Sequence, residues 1–243
     1  MSLRRARADE LLDEPRHDMA ELAQSLGHVA SVNRWLGGTA AVLHYLEPIV
    51  LQQPATTILD VATGSADIPV NIVRWARREQ RRVRIVAADL HPQMLEVAQL
   101  ECTGYPEITL QRLDALHLPY ADNAFDISLL SLALHHFPDE LHTRVLCELA
   151  RVTRTLVLVN DLERTRLNYL GARLLGATYW RGNRLTRHDG PLSVLRSFTR
   201  AELQRIGRAA GLGDRVDRRF FQRIVLVGDA ASAKAAAVNT ECR

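Results

Sequence analysis

The rhythm of apolar and polar positions changes near residue 56. Before it, Met19, Leu22, Leu26 and Val29 recur at helical spacing, and a second helical stretch around Gly37-Gly38 reaches Leu51. Beyond it, short apolar runs alternate with longer amphipathic ones. The runs predict strands over 57–61, 83–89, 108–111, 125–130 and 155–160, and helices over 68–78, 91–100 and 140–152. Residues 162–197 break the alternation. Thr199 with Glu202 three residues on forms a capping box for a helix to 210, Gly211 and Gly213 end it, and 220–227 closes the sheet. Strands alternating with helices imply an α/β fold, a mostly parallel sheet with helices on both faces. The chain divides into an N-terminal helical lid (1–52), a central domain (53–228) and an Ala-rich tail (229–243) that frays. Open α/β sheets bind ligands outside the carboxyl ends of their strands, so an insertion at 162–197 over the sheet's edge can roof a site.

Composition narrows the partners. Of the 243 residues, 47% are hydrophobic and 24% charged, enough for a sizeable core, and disorder as the main state is excluded. No apolar run has the roughly 18 residues of a membrane span, and the N-terminus leads into a charged stretch, so a soluble, cytoplasmic protein is expected. Three cysteines lie far apart with no CxxC or Cys/His spacing, which supports neither a disulfide framework nor a metal site. Net charge is only +3. The densest basic cluster, Arg74 to Arg84, falls at a helix end, where cations complement the dipole, and no aromatics interleave to stack bases. No nucleic-acid partner is expected.

The turn after the first strand, Asp60-Val61-Ala62-Thr63-Gly64-Ser65-Ala66-Asp67, stands where a nucleotide-binding loop belongs. Against the dinucleotide pattern GxGxxG only the middle position is glycine, Ala62 replacing the first and Asp67 the third. Asp67 would face a pyrophosphate, and two anions about 4 Å apart repel by about 4 kcal/mol at an effective dielectric near 20. A nicotinamide or flavin dinucleotide is therefore disfavoured. An adenosine ligand with a cationic centre meets no such penalty.

The segment Asp60-Val61-Ala62-Thr63-Gly64-Ser65 resembles the first motif of class I S-adenosylmethionine-dependent methyltransferases, especially those of quinone biosynthesis. Three further matches follow in order: Asp89 with Leu90 at the end of the second strand, Asp114-Ala115 after the third, and 125–136, running through Ser131 to His135-His136, for the fourth. The resemblance covers residues 55–160 strongly and implies a Rossmann-like, seven-stranded sheet and S-adenosyl-L-methionine as cofactor. It further implies that Asp89 holds the ribose hydroxyls, that Asp114 and Ala115 contact adenine, and that Asp60, Ala62, Gly64 and Ser131 line the pocket. Ala66 departs from the family's glycine. Asp67 either caps the first helix or helps hold the cofactor's ammonium group. Arg34, on the segment that folds over the cofactor in such enzymes, is a candidate for its carboxylate.

Methyl transfer from a sulfonium demands alignment above all, worth about 7 to 11 kcal/mol. A phenolic acceptor also needs a base, and His135 or His136 beside the methyl site is the candidate; His188-Asp189 is a second acid/base pair. Tyr169, Leu170, Leu174, Leu175, Tyr179 and Trp180 suggest an apolar roof, although their helical spacing fits lid packing or a homodimer contact equally. The expected reaction is methylation of a small aromatic or lipid-like acceptor at oxygen. Carbon methylation of a quinone-type precursor is the alternative, and a noncatalytic binder of the same cofactor a further one.

Overall fold

A computed structural model describes residues 3–219, 221–231 and 233. Two helices lead the chain, α1 (Met19–Trp35) and α2 (Gly38–Gln52). Then follow β1 (Ala55–Val61), α3 (Asp67–Arg78), β2 (Arg82–Asp89), α4 (Pro92–Glu101), β3 (Ile108–Arg112), β4 (Phe125–Ser131), α5 (His142–Val152) and β5 (Thr153–Leu162). The insertion holds α6 (Arg166–Ala177) and α7 (Arg184–Arg196), and the chain continues with α8 (Arg200–Ala209), β6 (Val216–Arg219) and β7 (Arg223–Asp229). The sheet order is β3-β2-β1-β4-β5-β7-β6, parallel except that β7 runs antiparallel to both neighbours. The expected seven-stranded, mostly parallel sheet is thus observed. The closing run at 220–227 starts later than its apolar pattern suggested: β7 begins at Arg223, Phe220 lies outside the described residues, and β6 precedes it as a separate edge strand. Of the expected tail, residues 232 and 234–243 also lie outside the described residues.

Alternate residues of each strand feed different cores. Leu59, Val61, Leu130, Val157 and Val159 face α5 and α8, whereas Ile58, Ile85, Ile127, Leu129 and Leu158 face α2 and α3. Burial on both faces explains why β4 reads as a continuous apolar run. Through Val42, Leu46 and Val50, α2 is a core layer of the sheet. The part of 1–52 that reaches the strand ends is α1, whose Leu22 and Leu26 pack on Met94 and Val97, together with the segment before it. Among the described residues no helix is long and apolar enough to cross a membrane. Cys102 is a buried free thiol, while Cys147 is disulfide-bonded, a bond that the wide spacing of the cysteines gave no reason to expect.

One local reading changes and another holds. α3 begins at Asp67 itself, and its N-cap is Ala66, in a left-handed conformation (φ 59°), so Asp67 is the first helical residue and not the cap. Thr199 does cap α8, with the full Thr199/Glu202 capping box.

The order reverses between β1 and β4, and the crevice outside their carboxyl ends is where such sheets bind ligands. The insertion covers it. Trp180, in the turn between α6 and α7, is buried against α7 so closely that a Cβ on Gly190 would lie 2.5 Å from its ring. Gly190→Ala should therefore destabilise the fold even though alanine favours a helix by about 1 kcal/mol, because displacing a buried ring costs about 1–3 kcal/mol. Urea melts followed by tryptophan fluorescence check this; a stabilised variant would contradict the packing described.

Candidate active site

The crevice is a cavity of about 1200 Å³, larger than the roughly 300–1,000 Å³ of a pocket for one small ligand. Its floor is the turn after β1 and the ends of β2 and β4; its walls are α1, α6, α7 and residues 9–15. Asp60, Ala62, Gly64, Asp67, Asp89, Leu90, Ser131, His135 and His136 all line it.

The turn after β1 is shaped by three left-handed residues, Ala62 (φ 54°), Gly64 (φ 57°) and Ala66 (φ 59°). Only Gly64 adopts this conformation without strain. Its N–H donates to Asp89 Oδ2 at 2.9 Å, while Asp89 Oδ1 accepts from His91 N–H at 2.9 Å, so the Asp89 carboxylate is fixed facing the cavity. Asp60 is 2% exposed and accepts from the Thr63 hydroxyl at 2.6 Å. Burial, with Asp67 and Asp89 nearby, pushes its carboxyl up to about 7 against the pull of Thr63. Burial likewise raises Asp67 and Asp89. Three acidic groups thus converge on one turn.

The counter-charge to Asp67 is Arg223, at the start of β7 and fully buried. Burial pushes its guanidinium down to about 10, against the attraction of Asp161 and Asp67. Its Nη2 donates to Asn33 Oδ1 at 3.1 Å, and Asn33 Nδ2 donates to Asp67 at 3.1 Å, but Nε and Nη1 of Arg223 have no partner. Arg34 is not part of this group. One step along α1 turns it about 100° from Asn33, and it is exposed, with its guanidinium 5.1 Å from the exposed Trp35 ring. The motif around Asn33-Arg34 therefore bears on the site through its asparagine.

The loop after β4 presents the histidines. His135, 2% exposed, bonds through Nδ1 to Asp161 Oδ1 at 2.8 Å, leaving Nε2 without a partner, 3.6 Å from Glu10 Oε1. His136 bonds through Nδ1 to Asp13 Oδ1 at 2.7 Å, with Nε2 3.8 Å from Glu10 Oε2. Burial works against an imidazolium there, yet Glu10 and Asp13 outweigh it and raise His136 to about 9. Burial would raise Asp13, but His136 and Arg196 hold it below the usual carboxylate range. Arg196 donates to Asp13 Oδ2 and to the His135 and His136 carbonyls, tying segment, loop and α7 together.

Several sequence-derived candidates lie elsewhere. Asp114 accepts from Leu116 N–H in a local turn and faces His117 at 3.4 Å, and Ala115 is packed in the core, so neither lines the cavity. His188 does meet Asp189 at 2.7 Å, but it is half exposed and outside the cavity, and both Asp189 oxygens accept backbone N–H groups, from Leu11 and Leu12. Of the expected roof, Leu175 and Trp180 face the cavity. Leu170, Leu174 and Tyr179 are 63%, 65% and 58% exposed and outside the cavity, Tyr179 with its ring 5.0 Å from that of His28, and Tyr169 packs with the cluster of Ala172, Trp180 and Val194. The site residues that sequence reasoning missed are Glu10, Asp13, Asn33, Asp161, Arg196 and Arg223. Of these only Asp161 left a signal, as half of the polar pair Asn160-Asp161 inside an apolar strand.

Residues 58–155 match the family described as "Methyltransferase domain". The chain is 32% identical over 140 residues to demethylmenaquinone methyltransferase of Deinococcus radiodurans, which covers 57% of this chain and 51% of that protein. It is 29% identical over 85 residues to a ubiquinone/menaquinone biosynthesis C-methyltransferase of Rickettsia akari, covering 34% of each. The matched region thus spans about half or less of the length of these curated relatives. In fold it is similar to a SAM-dependent methyltransferase from Aquifex aeolicus, with a TM-score of 0.62, 16% identity, and coverage of 88% of this chain and 100% of the other. Residues 58–155 thus match a methyltransferase domain, and the fold of the chain is similar to that of a SAM-dependent methyltransferase.

Proposed function

We propose that the chain transfers the methyl group of S-adenosylmethionine to a small hydrophobic phenol bound beneath the insertion, at oxygen, with His135 as the base. The observation that carries this reading is the set of three carboxylates, Asp60, Asp67 and Asp89, around one turn of the cavity. Such a set attracts a cationic ligand with hydroxyls to bind and repels a diphosphate.

The residues present fit that cofactor, which supplies an activated methyl on sulfur. The Asp89 carboxylate, held by Gly64 and His91, keeps lone pairs for two ribose hydroxyls. Asp67 and Asn33 are placed for an ammonium group, and the two unpartnered nitrogens of Arg223 for a carboxylate. Arg223 takes the role that the sequence suggested for Arg34. A cavity of this size leaves room for an acceptor beside the cofactor, against Leu167, Ala172, Leu175 and Trp180.

His135 is set to receive the acceptor's proton because Asp161 holds Nδ1 and leaves the Nε2 lone pair free. The phenol's pKa lies about 3.5 units above that of histidine, so complete deprotonation would cost roughly 5 kcal/mol. The proton therefore moves as the oxygen–methyl bond forms and the sulfur–methyl bond breaks. Asp161 positions the ring; it does not touch the acceptor. A second reading, methylation at ring carbon, is favoured by the likeness to the Rickettsia C-methyltransferase. The same base serves it, since losing the phenolic proton enriches the ring carbons as well.

Three outcomes test this. His135→Ala should lower kcat by about 10²- to 10⁴-fold, and Asp161→Asn should lower kcat with little change in KM, in assays of phenols and quinols read by mass gain and by locating the methyl. Full activity in His135→Ala removes the base role, and a methyl on carbon selects the second reading. Arg223→Gln should weaken S-adenosylmethionine binding about 10- to 100-fold, as expected for losing a charged hydrogen bond. Arg34→Ala should leave binding unchanged in the same titration; the reverse pattern restores Arg34. Because Asp60 is neutral below about pH 7 and charged above it, a cationic ligand should bind about tenfold more tightly at pH 8 than at pH 6. Calorimetric Kd values across this range check the sign.

A further inference from the structure

Glu10, His135 and His136 form a second constellation in the cavity wall, beyond the cofactor's carboxylates. Three donor atoms, one from each residue, lie within 4.8 Å of one another. Glu10 Oε1 and His135 Nε2 are buried, face each other at 3.6 Å and have no hydrogen-bond partner. A hydrogen bond would draw such a pair to about 2.7–3.2 Å. A tetrahedral ion with ligand bonds of about 2.0–2.1 Å spaces its donors by about 3.3 Å, a few tenths of an ångström less than the 3.6 and 3.8 Å between Glu10 and the two imidazoles.

The surroundings match those of metal ligands. Each imidazole is held at Nδ1 by a carboxylate, His135 by Asp161 at 2.8 Å and His136 by Asp13 at 2.7 Å, which turns both Nε2 atoms toward Glu10. Glu10 is itself held by the Ser193 hydroxyl at 2.8 Å through Oε2. Carboxylate-supported histidines of this kind orient their lone pairs for a cation. Glu10, Asp13 and Asp161 carry three negative charges, faced by Arg196, by Arg223 near Asp161 and, with no ion bound, by a proton on His136. A divalent ion would take the place of that proton, with both imidazoles neutral.

We infer that Glu10, His135 and His136 bind one divalent transition-metal ion of the zinc type, with its remaining coordination position open to the cavity. Two imidazoles and a carboxylate suit zinc, cobalt or iron better than magnesium or calcium. Binding itself does not rest on the methyltransferase reading; what the ion would do there does. An acceptor oxygen on the ion would lose its proton more readily, to water in the cavity, and with His135 Nε2 coordinated this would replace direct proton transfer to that ring. The sequence gave no sign of such a site because one ligand comes from the N-terminal segment and two from the loop after β4.

The test uses the full chain, stripped with a chelator and titrated with Zn²⁺ by calorimetry and with Co²⁺ by visible absorption. Expected are one ion per chain, a ligand-field band typical of nitrogen-ligated cobalt, and at least about tenfold weaker binding in both Glu10→Gln and His136→Ala. Asp161→Asn should weaken binding about 10- to 100-fold through loss of its support. His136 sits at the partly exposed rim, so His136→Ala keeps the test decisive if a buried substitution disturbs folding, which circular dichroism reports. Absence of heat and of the cobalt band, or undiminished binding in Glu10→Gln and His136→Ala, overturns the inference. Titrating S-adenosylmethionine into the stripped protein separates the two readings: retained cofactor binding without metal binding removes the ion alone.

Discussion

Negative charge gathered around a single turn is the constraint on which the site depends. Asp60, Asp67 and Asp89 all have their ionised forms disfavoured by burial, with Arg223 as the cation near Asp67. A carboxyl whose pKa rises from 3.8 to about 7 keeps a proton that the unfolded chain has already released. The free protein therefore loses some stability as pH rises from about 4 through 7, the opposite of a salt-bridged carboxylate. A bound cation relieves that cost. The backbone of the turn bears strain for the same end: Ala62 and Ala66 adopt left-handed conformations that glycine would take freely. This strain turns the Gly64 N–H onto Asp89 and aims α3 at the cavity.

A second polar system faces the first across the cavity, and it depends on chain that lies far away in sequence. The segment before α1 is fastened to α7 by Ala6 N–H on the Leu195 carbonyl, by Leu11 and Leu12 N–H on Asp189, and by Arg196 on Asp13. These bonds bring Glu10 over the histidines of the loop after β4. The carboxylates around the turn and those around the histidines thus do different work. The former favour a cation carried by a ligand; the latter orient two imidazoles toward whatever the cavity brings to them.

Much of this was legible from residue order. The apolar runs located the strands of the parallel sheet because both of its faces are buried, and the motif at 60–65 located the crevice because it leaves the central strand. Asp89 could be found because a carboxylate ending a buried strand has few structural uses. Asp67 was misplaced by one position, since the left-handed backbone at Ala66 that starts α3 has no sequence signature in an alanine. Glu10, Asp13 and Arg223 were invisible for a plainer reason. A charged residue in a polar segment or at a strand's edge reads as solvated until the tertiary fold buries it. Arg34 was the candidate because its charge suits a carboxylate, but helix phase turns its neighbour Asn33 inward instead.

The central claim is that this crevice recognises a cationic adenosyl ligand and has no place for a diphosphate. Calorimetric titration of the full chain with S-adenosylmethionine and, in parallel, with NAD tests it most directly. Saturable binding of the sulfonium with no heat from the dinucleotide is the predicted result. Tight binding of NAD with no response to S-adenosylmethionine would contradict it.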